Sequence, residues 1–218
     1  MEGGDGAARR LLTSLRMPTK LTGLVRAYLR HRRRRRVAMA YDMAKEIALY
    51  VPAGQRVLDV GCGSGYIAHH LSALLGAPVT GTDVAAHAEA RIAYQRFDGR
   101  ALPFGDGAFD VVLFCYVLHH ARDAGALLGE ARRVLKPDGR LIIYEDTPRG
   151  LIDRLLCLRH ERQWLHRTGP CTFRRDAGWR ELFARLGLIV RAARSLSRLR
   201  DPTYPVARSL YVLSTRSI

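Results

Sequence analysis

Apolar residues change their spacing along the chain in a way that predicts alternating strands and helices. Short and nearly continuous apolar runs are typical of strands covered on both faces, whereas apolar residues three or four apart predict helices. The predicted strands are Arg56–Val60, Val79–Asp83, Tyr94–Phe97, Phe109–Cys115, Leu141–Tyr144, Leu188–Val190 and Ser209–Leu213. The predicted helices are Val37–Leu49, Tyr66–Leu75, Ala124–Leu135, Leu151–Leu165 and a fifth that ends at Gly187.

This order of elements predicts an α/β fold. Strands that alternate with helices form a parallel sheet with helices on both faces. The last two strands are joined only by a loop, so they are expected to form an antiparallel hairpin at the sheet edge. The predicted fold is therefore a doubly wound, Rossmann-like, seven-stranded and mostly parallel sheet with an antiparallel C-terminal edge hairpin. Residues 37–218 are expected to form one domain, preceded by a basic extension, residues 1–36.

The charge of the chain is concentrated in this extension. The formal net charge is +16, and much of the excess comes from Arg9, Arg10, Arg16, Lys20, Arg26, Arg30 and the run Arg32–Arg36. A solvated tail or docked helix is the favoured interpretation, a basic amphipathic helix on an anionic membrane surface is the second, and nucleic-acid binding is less favoured. The charge does not predict an oligomeric state.

Cysteine usage and hydropathy bear on location. The four cysteines are scattered rather than arranged as a disulfide framework, which fits a reducing cytoplasm. No apolar run approaches the ~20 residues of a membrane span, so peripheral contact is the only membrane association that these patterns favour.

A glycine-rich turn follows the first predicted strand. In the stretch VLDVGCGSG, Gly61, Gly63 and Gly65 come directly after the acid-bearing strand that contains Asp59. Glycines there let the chain turn tightly and let backbone amides approach a ligand. The dinucleotide fingerprint G-x-G-x-x-G fails because position 66 is tyrosine, which disfavours a nicotinamide dehydrogenase.

A G-x-G-x-G turn preceded by an acid resembles the class I methyltransferases that use S-adenosylmethionine. Four further segments at suitable spacing extend the resemblance to Asp146: TD at 82–83, FDGRALPFGDGAFDVV at 97–112, LHH at 118–120 and EARRVLKPDGRLII at 130–143. The chain is most similar to the type 11-like branch that modifies quinones and natural products. The resemblance divides the domain into a cofactor half, residues 37–146, and a substrate cap with edge strands, residues 147–218.

The resemblance also implies which residues bind S-adenosylmethionine. They are Asp59, Gly61, Gly63, Gly65, Asp83, Val84, Asp98, Gly99 and Cys115. The glycines would wrap the methionine and ribose, with Asp59 orienting the loop and meeting the amino group through water. Asp83 would bind both ribose hydroxyls, and Val84, Asp98 and Gly99 would contact adenine. Cys115, with Tyr116, would border the sulfonium. Purely structural roles, such as capping by Asp59 and core packing by Val84, remain open.

One departure from the family pattern concerns the second crossover. About ten residues, 84–93, separate Asp83 from the third strand, whereas a parallel crossover usually takes about a dozen or more. We therefore expect its helix to be reduced to a turn. The adenine side would then be open or covered by the loop around His87.

Candidate catalytic residues are few, because methyl transfer from a sulfonium mainly requires alignment of the acceptor and exclusion of water. If the acceptor must lose a proton, His119 or His120 could accept it, since imidazole titrates near neutrality. Tyr116 and Tyr41 are candidate acceptor contacts. The alternative is that one histidine caps the next helix and the other packs beneath it.

The segment after the fifth strand is expected to cap the acceptor. Cys157, His160, His166 and Cys171 lack the spacing of known zinc sites, so no metal is predicted. Arg149, Arg159 and Arg162 would favour a negatively charged acceptor.

The sequence therefore predicts an S-adenosylmethionine-dependent methyltransferase for a small-molecule acceptor, of anionic or lipid-like character. Two alternatives remain. One is an RNA methyltransferase, although the catalytic signatures of such enzymes are absent. The other is a non-catalytic scaffold that binds a membrane or partner through its basic N-terminus.

Overall fold

The computed structural model describes residues 19–215, with the side chains of residues 19–22 and 167 excepted. The helices are α1 (Thr19–Ala48), α2 (Tyr66–Leu75), α3 (Ala124–Val134), α4 (Leu151–Thr168) and α5 (Asp176–Arg185), with 3₁₀ turns at Leu118–His120 and Arg198–Arg200. The strands are β1 (Val57–Val60), β2 (Val79–Asp83), β3 (Ala93–Arg96), β4 (Phe109–Cys115), β5 (Leu135–Asp146), β6 (Ile189–Leu196) and β7 (Arg208–Ser214).

All seven strands form one sheet in the order β3-β2-β1-β4-β5-β7-β6. Strands β1 to β5 pair in parallel, and β7 pairs antiparallel with both β5 and β6. The predicted fold class, including the antiparallel hairpin at the edge, is confirmed. Val60 is level with Thr82 on one side and Phe114 on the other, so β1, β2 and β4 end at the same edge of the sheet.

The core lies on both faces of the sheet, because successive strand residues point in opposite directions. On one face Val112 and Phe114 pack with α3 and α5. On the other face Val111 and Leu113 pack with α1 and α2. Burial on both faces explains why the central strands are apolar almost throughout.

Three elements differ clearly from the sequence prediction. Strand β6 continues to Leu196, whereas the predicted strand ends at Val190. Helix α1 is continuous over the described residues Thr19–Ala48 and so passes through the boundary predicted between residues 36 and 37, because an arginine run is compatible with a helix when its side chains reach water. Strand β5 begins at Leu135, so the predicted turn at residues 137–139 lies inside the strand. Arg9, Arg10 and Arg16 lie outside the described residues. No helix within residues 19–215 has the length and hydropathy needed to cross a bilayer.

Candidate active site

The glycine loop, residues 61–65, joins β1 to α2 at the carboxyl edge of the sheet. Gly61, Gly63 and Gly65 all have left-handed backbones, with φ of 69°, 54° and 76°. A Cβ at Gly61 would lie 2.5 Å from a methyl group of Val117, so the loop passes too close to the turn after β4 for any side chain there. Gly65 caps α2 without a side-chain hydrogen bond. The loop therefore presents backbone amides and no side-chain bulk at these positions, as an anionic or polar ligand requires.

Asp83, at the end of β2, lies against this loop. Its side chain is 6% exposed. Oδ2 accepts a hydrogen bond from the backbone N–H of Gly63 at 2.8 Å, and Oδ1 accepts one from Ala85 at 3.0 Å. Each carboxylate oxygen has two lone pairs, so both oxygens keep capacity for another donor. The carboxylate is therefore placed to receive two hydroxyl groups beside the glycine loop.

Asp59 lies beneath the loop and is fully buried. Neither of its carboxylate oxygens has a hydrogen-bond partner among the residues described. Burial, together with the nearby charge of Asp83, raises the pKa of Asp59 to about 7. A buried acid without a donor is rare in folded proteins, so this oxygen pair is suited to a cationic or hydrogen-bond-donating ligand group.

The predicted adenine contacts come together at the rim of the same edge. A Cβ at Gly99 would lie 3.3 Å from Val84, whose side chain is 49% exposed. Asp98 Oδ1 accepts backbone hydrogen bonds from Arg100 and Ala101, which hold the pKa of that carboxyl below its ordinary value. Val84 is thus a surface residue rather than a core residue, and Asp98 is an ionised acceptor.

Residues 84–92 form no helix, as expected of a shortened crossover. The segment folds back on the glycine loop: the N–H groups of Glu89 and Ala90 donate to the Ser64 carbonyl at 3.1 and 2.9 Å. Tyr66 donates to the Glu89 carboxylate at 3.0 Å. Helix α1 secures this contact, because Arg33 donates to the Tyr66 hydroxyl at 2.8 Å. Part of the arginine run therefore stabilises the rim of the site, a role that the charge pattern alone did not indicate.

Cys115 and Tyr116 end β4 beside the glycine loop. Burial raises the pKa of both side chains, so the thiol and the phenol are neutral at physiological pH. Tyr116 has φ of 60°, and no other non-glycine residue between 19 and 215 has positive φ. Strained backbone of this kind persists where the surrounding structure enforces it, often at functional sites. Tyr116 can donate a hydrogen bond there but cannot act as a base.

His119 and His120 follow in the 3₁₀ turn, and their environments differ. Burial tends to lower the pKa of His119, but the charge and hydrogen bond of Glu145 outweigh it and raise that pKa. The His119 Nδ1 atom lies 2.6 Å from Glu145 Oε2. His120 contacts Thr168 and Cys171 through Nδ1 and His160 through Nε2. Burial and the neighbouring His119 lower the pKa of His120 to about 3. The assignment of either histidine, or of Tyr116, as catalytic stays a prediction.

The structure does not bring the four residues weighed as a metal set together as one group. His160 faces His120, and the Cys171 thiol lies 3.3 Å from His120 Nδ1. Cys157 contacts Tyr204, and His166 is on the exposed side of α4. Among the described residues, the fold instead brings together His119, His120 and His160.

Two residues of the site were not found by sequence reasoning. Glu145 is fully buried at the end of β5 and accepts hydrogen bonds from the N–H groups of Val117 and Leu118 as well as contacting His119. The sequence signal that could have identified Glu145 is an acidic residue at the end of a strand, as at Asp83. Arg208 is buried on β7 with its guanidinium 5.5 Å above the Tyr116 ring. No motif marked it, because only the antiparallel pairing of β7 with β5 brings it to this edge.

Known proteins share the part of the chain that builds this edge. Residues 58–143 match the family described as "Methyltransferase domain". Over these residues the chain is similar to the class I methyltransferases. The methyltransferase GfsG of Streptomyces halstedii is 35% identical over 118 residues, covering 48% of this chain and 42% of that protein. The demethylmenaquinone methyltransferase of Thermus thermophilus is 40% identical over 134 residues, covering 56% of each.

The match to this methyltransferase family is partial in length. The chain spans about half of the curated relatives named above. The structure of the [4+2]-cyclase SpnF superposes with a TM-score of 0.65 at 16% identity over 82% of both chains, which shows a shared fold. The family match includes the glycine loop, Asp83, Asp98, Cys115 and both histidines of the 3₁₀ turn. It ends before α4 and β7, so His160 and Arg208 lie outside the matched residues.

Proposed function

We propose that this protein is an S-adenosylmethionine-dependent methyltransferase that acts on a small-molecule acceptor. The observation that carries the proposal is the buried Asp83 carboxylate bonded to the Gly63 amide at the carboxyl edge of the sheet. Open α/β folds bind ligands at this edge. The unpartnered Asp59 oxygens beneath the same loop support the fit of a ligand that carries an amino group.

Different residues of the site would hold different parts of the cofactor. Asp83 would accept from the ribose hydroxyls, and the glycine loop would pack against the ribose and methionine. Val84, Asp98 and Gly99 would contact adenine, Asp59 would face the amino group, and Cys115 would border the sulfur. S-adenosylmethionine supplies a methyl group activated on a sulfonium. The protein must then align the acceptor in line with that bond and exclude water, and a general base is optional.

The acceptor side favours an anionic oxygen. Arg208 Nη1 is buried and has no hydrogen-bond partner among the described residues, while its other nitrogens contact Asp146 and Tyr204. An unpaired guanidinium N–H beside Tyr116 is suited to a phenolate, enolate or carboxylate oxygen. Arg159 and Arg162, which were expected to serve this purpose, lie on the exposed face of α4.

The outer face of α4 supports a lipid-like acceptor and contact with an anionic membrane surface. It exposes five large apolar side chains next to arginines: Leu151, Ile152, Leu155, Leu158 and Leu165. Exposed apolar side chains among basic ones can contact an anionic membrane surface, although the two kinds are not separated onto different faces of α4. The exposed arginines of α1 would add attraction to anionic lipids. One relative is named a demethylmenaquinone methyltransferase. The acceptor in that name is lipid-like, which agrees with this proposal.

Transfer of isotopically labelled methyl groups tests the proposed function. The protein is incubated with labelled S-adenosylmethionine and a cell extract, and the products are divided into organic, aqueous and RNA fractions for mass spectrometry. We expect the label in a small organic-soluble product. Label in RNA would establish the RNA methyltransferase alternative. No label in any fraction would favour a scaffold, or another reaction on the same fold such as the cyclisation named for SpnF.

Cofactor binding is expected to depend on pH through Asp59. The ligand ammonium needs an ionised partner, and the pKa of Asp59 in the free protein is about 7. Affinity for S-adenosylhomocysteine should therefore increase about twentyfold between about pH 5.5 and about pH 7.5, because binding releases the Asp59 proton over this range. Calorimetry at several pH values measures the slope.

The Asp59→Asn variant is the control, because its amide does not titrate in this range. Its affinity should be independent of pH. The same pKa determines whether the free energy of unfolding increases or decreases with pH. The native state holds a proton that the unfolded chain releases near its ordinary pKa of 3.8, so the free energy of unfolding should decrease from about pH 4 to about pH 7. A flat binding profile in the unmodified protein would contradict the assignment of Asp59.

A further inference from the structure

Three imidazoles from two distant parts of the chain converge behind the end of β4. His119 and His120 come from the 3₁₀ turn, and His160 comes from α4. Their ligand nitrogens all lie within 4.8 Å of one another. The Nε2 atoms of His120 and His160 are 3.1 Å apart. We call these three residues the histidine cluster.

A second observation points to a ligand in this cluster. His119 is 1% exposed, and its Nε2 atom has no hydrogen-bond partner among the described residues. Its other nitrogen is held by Glu145, so the free Nε2 is directed away from that carboxylate. The ring of His160 lies 5.4 Å from that of His119 and the ring of His120 lies 4.2 Å from it. A buried nitrogen of this kind is usually satisfied, which makes its position beside two further imidazoles informative.

We propose that the histidine cluster binds one divalent transition-metal ion, Zn²⁺, through the Nε2 atoms of His119, His120 and His160. Tetrahedral zinc holds imidazole nitrogens at about 2.0–2.1 Å, which places two ligand nitrogens roughly 3.3 Å apart. The 3.1 Å between the Nε2 atoms of His120 and His160 is close to this separation. All three ligand nitrogens lie within 4.8 Å of one another, so the third imidazole must move toward the ion when it binds. Three protein ligands leave one position for water or for an oxygen of the acceptor.

The surroundings match those of known metal-binding histidines. Such histidines commonly donate their second N–H to a carboxylate, and Glu145 fills this position for His119. Thr168 and Cys171 contact the second nitrogen of His120.

Aromatic rings enclose the cluster while leaving a route of entry. Phe173 stacks on His119 at 4.8 Å, and Tyr204 stacks on His160 at 5.1 Å. His120 and His160 remain half-buried, so an ion can reach them from solvent. The alternative without a metal is an N–H···N hydrogen bond between His120 and His160, and it leaves His119 Nε2 without a partner.

Metal binding to the full chain tests the proposal independently of methyl transfer. The protein is freed of metal with a chelator and titrated with Zn²⁺ against a chromophoric competitor, and bound zinc is counted by mass spectrometry. We expect one Zn²⁺ per chain with a submicromolar Kd. Co²⁺ in place of Zn²⁺ should give the strong visible absorption of a tetrahedral ion. A chain that binds no Zn²⁺ in this range, or Co²⁺ with only octahedral absorption, overturns the proposal.

Variants locate the ion. His120→Gln and His160→Gln should each weaken zinc binding by about 100-fold. This is the upper end of the loss in affinity seen when a residue that only hydrogen-bonds to a metal ligand is replaced. His166→Gln on the same helix is the matched control, because its side chain is exposed, and it should bind zinc like the unmodified protein. Thermal melting of each variant verifies folding. Unchanged affinity in folded His120→Gln and His160→Gln would place any bound zinc elsewhere and overturn the proposal.

Discussion

Replacing Gly61 with alanine is expected to abolish measurable binding of S-adenosylhomocysteine and to lower the free energy of unfolding by about 2–4 kcal/mol. The φ of 69° strains any L residue, and the new Cβ would meet the methyl groups of Val117 at 2.5 and 2.6 Å. The loop must then move away from the turn after β4, which displaces the amide of Gly63 from Asp83. Calorimetric titration measures binding, and urea denaturation measures stability.

Gly76 offers a matched control for this substitution. Its φ is 61°, but nothing lies within 4 Å of the position of its Cβ. Gly76→Ala should therefore cost only about 1–2 kcal/mol of backbone strain and leave cofactor binding unchanged. The Gly61→Ala/Val117→Ala double variant should regain part of the lost affinity, because the contact is relieved. Equal effects of Gly61→Ala and Gly76→Ala would contradict the close approach described here.

Replacing Asp83 with alanine should weaken binding of S-adenosylhomocysteine by about 100-fold, or about 3 kcal/mol. Hydrogen bonds to a charged group contribute about 1.5–3 kcal/mol each, and the variant removes the acceptors for both ribose hydroxyls. It also leaves the N–H groups of Gly63 and Ala85 without their acceptor. Calorimetric titration of the folded variant measures the change in Kd.

Asp42→Ala is the control for loss of a carboxylate. Asp42 is exposed on α1 and pairs only with Lys45 among the described residues, so its removal should not change the Kd. Adenine, which lacks the ribose, separates the contacts further. If Asp83→Ala lowers affinity for adenine as strongly as for S-adenosylhomocysteine, the loop has lost its conformation and Asp83 does not act on the ribose directly.

The sheet and the glycine loop could be predicted from the sequence because their signals are local. Continuous apolar runs located β1 and β4, and β2 and β4 have the predicted ends. Glycines at every second position after an acid identified the loop. Three residues with left-handed backbones in so short a segment require glycine, which makes this pattern easy to recognise. The role of the acid that ends β2 was implied by the resemblance to class I methyltransferases.

The histidine cluster could not be predicted, because it depends on contacts between residues far apart in the chain. His120 and His160 are 40 positions apart, and metal-binding spacings in a sequence are recognisable only between residues close together in the chain. The role of Arg33 likewise follows from α1 packing beside α2, which places its side chain on Tyr66. The charge pattern shows how many arginines are present, but it does not indicate which of them contact the domain.

The central claim is that the glycine loop and Asp83 form a binding site for an adenosyl cofactor. Titration of the unmodified protein with S-adenosylhomocysteine tests it most directly. We expect one site per chain with a micromolar Kd, which corresponds to about 8 kcal/mol of binding free energy. Absence of binding heat and of any thermal stabilisation at millimolar ligand would contradict it.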